Sequence, residues 1–164
     1  PRVIFVPDEF LGRYVASKAA VELVLWKGHC EVHERFTPEG IRDLRAAHPG
    51  LRVLAHPECP PAVLAEADFV GSTAGMIREV GRPGTERVLL VTECSMSDNV
   101  AAANPEVEFV RPCNLCPHMK RITLPKILRS LETLTHEVVV EPATAARARH
   151  AVAAMLAVGR GEKR

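Results

Sequence analysis

This sequence has no excess of charge of either sign. Its 21 Lys and Arg against 20 Asp and Glu leave a formal charge of +1, which provides no electrostatic footprint for nucleic acid or an anionic membrane. It has no apolar run near the roughly 20 residues that a membrane-spanning helix needs. No strand is followed by G-x-G-x-x-G, so support is missing for a metal-free dinucleotide- or sugar-phosphate-binding protein. The opening residues, Pro1-Arg2 and then an apolar stretch, do not read as an export signal. Five cysteines is an odd number and too sparse for a disulfide scaffold. They point to a reducing cytoplasm, and to metal or redox chemistry before disulfides.

What is present is ordinary for one globular domain: 164 residues, 47% of them hydrophobic and 25% charged. Apolar strand-like runs alternate with helical patterns. Strands are expected at Val3–Val6, Glu22–Trp26, Leu51–Ala55, Phe69-Val70, Arg87–Val91, Val107–Val110 and Glu137–Val140. Helices are expected from Glu9 to about Ala20, at Pro38–Ala47, Ala62–Ala67 and Met76–Val80, near Asp98–Ala103, and over Pro125–Thr135 and Ala143–Val158. This order implies an α/β fold of three-layer units with mostly parallel sheets. Val3-Ile4-Phe5-Val6 reads as a buried parallel strand, which needs neighbours from elsewhere. The sequence is therefore expected to begin inside a larger protein.

An internal repeat supports that expectation. Arg2–Val6 matches Arg87–Val91 at an offset of 85, which also carries Asp8 onto Glu93 and Val15-Ala16 onto Val100-Ala101. Glu22-Leu23-Val24 matches Glu108-Phe109-Val110 at an offset of 86, and the same offset carries Cys30 onto Cys116. Extrapolated backwards, the pattern asks for a third cysteine upstream of Pro1.

Four groups of residues carry chemistry. Cys30 and His33 lie in a loop leaving a strand, where α/β sheets bind ligands, and both side chains offer metal-donor atoms. A buried thiol among polar loop residues accounts for the same pattern. His56-Pro57-Glu58 sits at another strand end. An imidazole and a carboxylate there suit hydrogen bonding and proton transfer, while a proline-dictated turn is the bland alternative. Gly71-Ser72-Thr73 before a helix offers an anion site, or a plain helix cap. Cys113-x-x-Cys116 has the spacing of a zinc or redox pair. A non-catalytic zinc module using Cys30, Cys113, Cys116 and a histidine is thus a rival reading.

Taken in order, several segments resemble the quinolinate synthase family. They are Phe5-Val6-Pro7-Asp8 with Leu11-Gly12-Arg13-Tyr14, Trp26-x-Gly28-x-Cys30-x-Val32-His33, and His56-Pro57-Glu58. Ala67-Asp68-x-Val70-Gly71-Ser72-Thr73 and Cys116-Pro117-x-Met119-Lys120-x-Ile122-Thr123-Leu124 complete the set. The resemblance implies three α/β units around a pseudo-threefold axis, each giving one cysteine to a [4Fe–4S] cluster. Residues 1–21 would end the second unit and 22–112 would form the third. Residues 113–164, the cluster-cysteine loop and C-terminal helices, would pack on the first unit, which is absent.

By the same resemblance, Cys30 and Cys116 are cluster ligands and the third is missing. His33, His56 and Glu58 are catalytic. His56, Pro57, Glu58, Ser72 and Thr73 bind substrate. The implied reaction condenses iminosuccinate with dihydroxyacetone phosphate to quinolinate in cytoplasmic NAD biosynthesis, with a functional link to L-aspartate oxidase. Cys113 is expected as a reversible disulfide partner of Cys116 or as a free thiol. Cys59 and Cys94 are expected to be structural. Glu93-Cys94-Ser95-Met96 departs from the family pattern and is assigned packing alone.

Overall fold

The computed structural model describes residues 2–161. The chain groups into two compact units, Pro1–Arg121 and Ile122–Arg164.

The first unit opens with strand β1 (Arg2–Phe5), helix α1 (Glu9–Lys18) and strand β2 (Glu22–Leu25). β1 and β2, which the sequence-based division assigns to different units, pair in parallel from Arg2↔Glu22 to Phe5↔Leu25. Gly12 lets α1 lie close on this pair, because a Cβ there would meet Leu25 Cδ2 at 2.5 Å. Asp8 caps α1 by accepting from Leu11 N–H at 2.8 Å.

Helix α2 (Pro38–Ala47) follows, then β3 (Arg52–Ala55), α3 (Pro61–Leu64), β4 (Phe69–Val70), α4 (Thr73–Val80), β5 (Arg87–Val91), α5 (Cys94–Ala103) and β6 (Glu108–Val110). The last four strands form one sheet in the order β4-β3-β5-β6, and every pairing is parallel. Parallel neighbours need a crossover, and helices supply it. Side chains alternate across the sheet. Val53, Ala55, Leu89 and Val91 pack with Ile41 and Val63 from α2 and α3 on one face. Leu54, Val88 and Leu90 pack with Met76, Val80 and Val100 from α4 and α5 on the other. Strands covered on both faces read as continuous apolar runs, which is why β3 and β5 stand out in the sequence. The fold is α/β with parallel sheets, as expected, and this sheet is the middle of three layers.

Two helices begin earlier than the sequence suggests. α4 starts at Thr73, capped by Ser72, whose Oγ accepts from Gly75 N–H at 3.2 Å. α5 starts at Cys94, capped by the Glu93 carboxylate. In both, a cap side chain turns an apparent loop into a first helical turn.

The second unit contains α6 (Leu124–Thr133) and α7 (Pro142–Gly159). The strand expected at Glu137–Val140 does not form. Its valines favour a pleated surface, but a strand also needs a partner edge for its N–H and C=O groups. Leu134 and His136, both at positive φ, turn the chain just before it.

Candidate functional site

A cavity of about 460 Å³ opens in the first unit, where β3 and β5 end. Cys30, His33, His56, Glu58, Thr73 and Cys116 all line it. Ligands in parallel α/β sheets bind at the carboxyl ends of strands. Ser72 and Pro57 do not line it: Ser72 Oγ is engaged as the α4 cap, and Pro57 is buried.

The His56-Pro57-Glu58 turn leaves β3 and brings two groups to the cavity. His33 comes from the short helical turn after the Cys30 loop and is buried between them. Its ring stacks on that of His56, with centroids 4.6 Å apart. Its Nδ1 lies 3.0 Å from Glu58 Oε2, and its Nε2 lies 2.9 Å from Thr92 Oγ1. An ionised carboxylate only accepts, so the proton shared with Glu58 sits on Nδ1, and Nε2 is hydrogen-bonded to the Thr92 hydroxyl. Thr92 is thus the third member of a Glu58–His33–Thr92 chain. Sequence reasoning passes over it, although its place directly after the most buried strand is a signal.

The titration behaviour of the site follows from this packing. The hydrogen bond from His33 holds the Glu58 carboxyl below its ordinary value, against the opposing effect of burial. Burial, and then the neighbouring His33, hold His56 below its own. Both groups bind protons less readily folded than unfolded. Their stabilisation is therefore complete above the unfolded pKa and fades as pH falls through the folded one. It is expected to fade first below about 6.5 for His56, then below about 4.3 for Glu58. Thermal unfolding followed between pH 7 and 4 checks this. The midpoint falls with pH, and His56→Gln flattens the upper part of the curve.

Cys30 and Cys116 are unbridged and half-buried. The loops that carry them are neighbours, joined by His118 Nε2 and Glu31 Oε1 at 3.0 Å. The donor atoms of Cys30, His33 and Glu58 all lie within 4.8 Å of one another. Cys59 is different: it is fully buried in the sheet core, and burial pushes its thiol up to about 12. That inert thiol agrees with a structural role.

Cys113 is not paired with Cys116. It forms a disulfide with Cys94, 19 residues away. This corrects both expectations for Cys113, a reversible bridge to Cys116 or a free thiol, while the structural role expected of Cys94 takes the form of a bridge and not of packing alone. It also removes Cys113 from any zinc set. The fold brings α5's first residue to the loop after β6, so a partner distant in sequence is nearer than the C-x-x-C neighbour. The Glu93–Met96 loop likewise does more than pack. Glu93, Ser95 and Met96 line the cavity, and Lys120 Nζ donates to Ser95 Oγ. Among the described residues, no lysine or arginine lines the cavity.

The profile of the quinolinate synthetase A protein family matches residues 1–157. The chain is 64% identical to quinolinate synthase 2 of Mesorhizobium japonicum over 158 residues, 96% of this chain and 49% of that protein. It is 61% identical to quinolinate synthase of Agrobacterium fabrum, covering 96% of this chain and 46% of the relative. For quinolinate synthase of Xylella fastidiosa strain 9a5c the figures are 56%, 96% and 47%. The chain thus spans about half the length of the curated relatives it matches.

Proposed function

Because the chain belongs to the quinolinate synthetase A protein family, we propose that it supplies part of the active site of a quinolinate synthase of cytoplasmic NAD biosynthesis. The enzyme would condense iminosuccinate with dihydroxyacetone phosphate, releasing phosphate and water. L-Aspartate oxidase would be its functional partner. The observation that carries this reading is the convergence of two unbridged thiols with His33, His56, Glu58 and Thr73 on one cavity.

The donor set suits a [4Fe–4S] cluster. Cys30 and Cys116 are partly accessible thiols on the same cavity, and a third would come from the part of the relatives that this sequence does not span. When bound, such a cluster supplies a Lewis-acidic iron. The remaining chemistry falls to side chains. Glu58, ionised and oriented by His33, takes and returns protons. His56, kept neutral by burial, offers one donor and one acceptor to a substrate carboxylate or carbonyl. Thr73, the first residue of α4, brings its hydroxyl and the positive end of the helix dipole to the cavity lining, which suits an anion.

Metal analysis tests the reading. The chain is co-expressed with the half of a relative that it does not span and purified without oxygen. Iron with equimolar acid-labile sulfide is expected, and Cys30→Ser or Cys116→Ser is expected to lose both. Zinc without sulfide would instead favour a non-catalytic zinc site on Cys30, His33 and Glu58, whose donor atoms are already close enough to share an ion.

A further inference from the structure

We propose that Asp8 and Glu93 are positioning residues for Cys30 and Cys116, each carboxylate clamping a cysteine loop to the start of a helix. The proposal rests on the reading of the two cysteines as metal ligands.

The two clamps share one pattern. Asp8 follows β1 and is buried. One of its oxygens accepts from Leu11 N–H at the start of α1, and the other accepts from Cys30 N–H at 2.9 Å. The next residue, Glu9, donates its N–H to the carbonyl of Gly28, two residues before the cysteine, at 2.8 Å. Glu93 follows β5 and is also buried. One of its oxygens accepts from Ser95 N–H at 2.8 Å, and the other accepts from Cys116 N–H at 3.4 Å. The next residue, Cys94, donates its N–H to the carbonyl of Asn114, again two residues before the cysteine, at 3.1 Å.

Helix capping, with Ser95 Oγ also donating to the second Glu93 oxygen at 3.3 Å, explains the local bonds of each carboxylate but not a further bond made by one oxygen of each. The second oxygen reaches a backbone amide that is 22 residues on at the first site and 23 at the second. In both cases that amide belongs to the cavity cysteine. The loops are also held close by other means. At Gly28 a Cβ would meet the Pro7 carbonyl at 2.4 Å, and the Cys94–Cys113 disulfide ties down the second loop.

A thiolate's direction is set by its backbone and one rotamer, so fixing the amide removes most of the freedom that ligation would otherwise have to remove. Groups that orient metal ligands in this way typically change metal affinity by about 10- to 100-fold when removed.

The test compares Asp8→Ala, Asp8→Asn and Glu93→Ala with a cap control. Thr37→Ala removes an ordinary cap, that of α2, where Thr37 Oγ1 accepts from Gly40 N–H, and touches neither cysteine. Iodoacetamide alkylation of the metal-free complex with the relative's other half is followed cysteine by cysteine by peptide mass mapping. Iron and sulfide are measured in the complex with the relative's other half. Asp8→Ala is expected to speed alkylation of Cys30 several-fold and leave Cys116 unchanged, and Glu93→Ala to do the reverse. Asp8→Asn lacks the charge but keeps an acceptor oxygen, and is expected to fall between Asp8→Ala and the parent.

Thr37→Ala is expected to lower the unfolding midpoint without changing either rate. Iron retention is expected to fall by about 10- to 100-fold in the two alanine variants. Parent-like alkylation and iron retention in the alanine variants, with an unfolding shift like that of Thr37→Ala, would reduce both acids to caps and overturn the proposal. Should Asp8→Ala not fold, Asp8→Asn carries the same comparison. If Cys30→Ser and Cys116→Ser keep their iron, the ligand reading fails. The alkylation rates still decide whether the carboxylates position the thiols.

Discussion

Glu58→Gln is expected to lower kcat for quinolinate formation by about 100- to 10,000-fold, the range set by losing a positioned acid–base group, with KM changed far less. The assay uses the complex of this chain with the half of a relative that it does not span. Glutamine has nearly the same shape, and its amide oxygen still accepts from His33 Nδ1–H, now 3.0 Å from the carboxylate. His33 therefore keeps its orientation and its bond to Thr92. What is lost is the ability to take a proton. A loss confined to kcat marks an interaction used in the transition state, whereas a rise in KM alone marks ordinary binding. Thr92→Val should give a smaller loss, because it frees Nε2 of His33 without removing a proton carrier. A parent-like kcat in Glu58→Gln would remove Glu58 from the proton transfers.

Part of this arrangement is legible in the sequence because β3 and β5 are buried on both faces. The continuous apolar runs of β3 and β5 announce themselves, and the residues that follow such runs fall on the cavity side. His56 and Glu58 are found in that way, and Cys30 and His33 by the thiol and imidazole in the loop after β2, a half-exposed strand. Thr92 and Glu93 occupy the same kind of position after β5, yet a threonine and a glutamate after a strand carry no distinctive pattern. The repeat offset that carries Asp8 onto Glu93 was the available signal. The Cys94–Cys113 bridge lies beyond sequence reasoning, since pairing depends on which loops the fold brings together. The strand expected at Glu137–Val140 fails for the converse reason. Its propensity is local, but the partner edge it requires is not.

The 164-residue chain alone is expected to form no quinolinate, and the complementing half of a relative is expected to restore the activity. Three observations point this way. The β1–β2 pair leaves Ile4 77% exposed and Trp26 63% exposed, and two parallel strands without further neighbours are not a stable sheet. In the second unit, α6 leaves Leu124, Leu128 and Leu131 open to solvent. Contiguous apolar surface of this kind ordinarily marks a contact face. The cavity, too, is incomplete for the proposed substrates. They carry two carboxylates and a phosphate, while the described lining contains Glu58 and Glu93 but neither lysine nor arginine. Burying that much negative charge without cations beside it is costly, so the substrates need more positive groups than this lining supplies. The assay is quinolinate produced from iminosuccinate and dihydroxyacetone phosphate, read together with binding of a hydrophobic dye. Adding the other half should raise the first from zero and lower the second. Quinolinate formed by the 164 residues alone would mean that α4's N-terminus suffices for the anions and that the cavity is already whole.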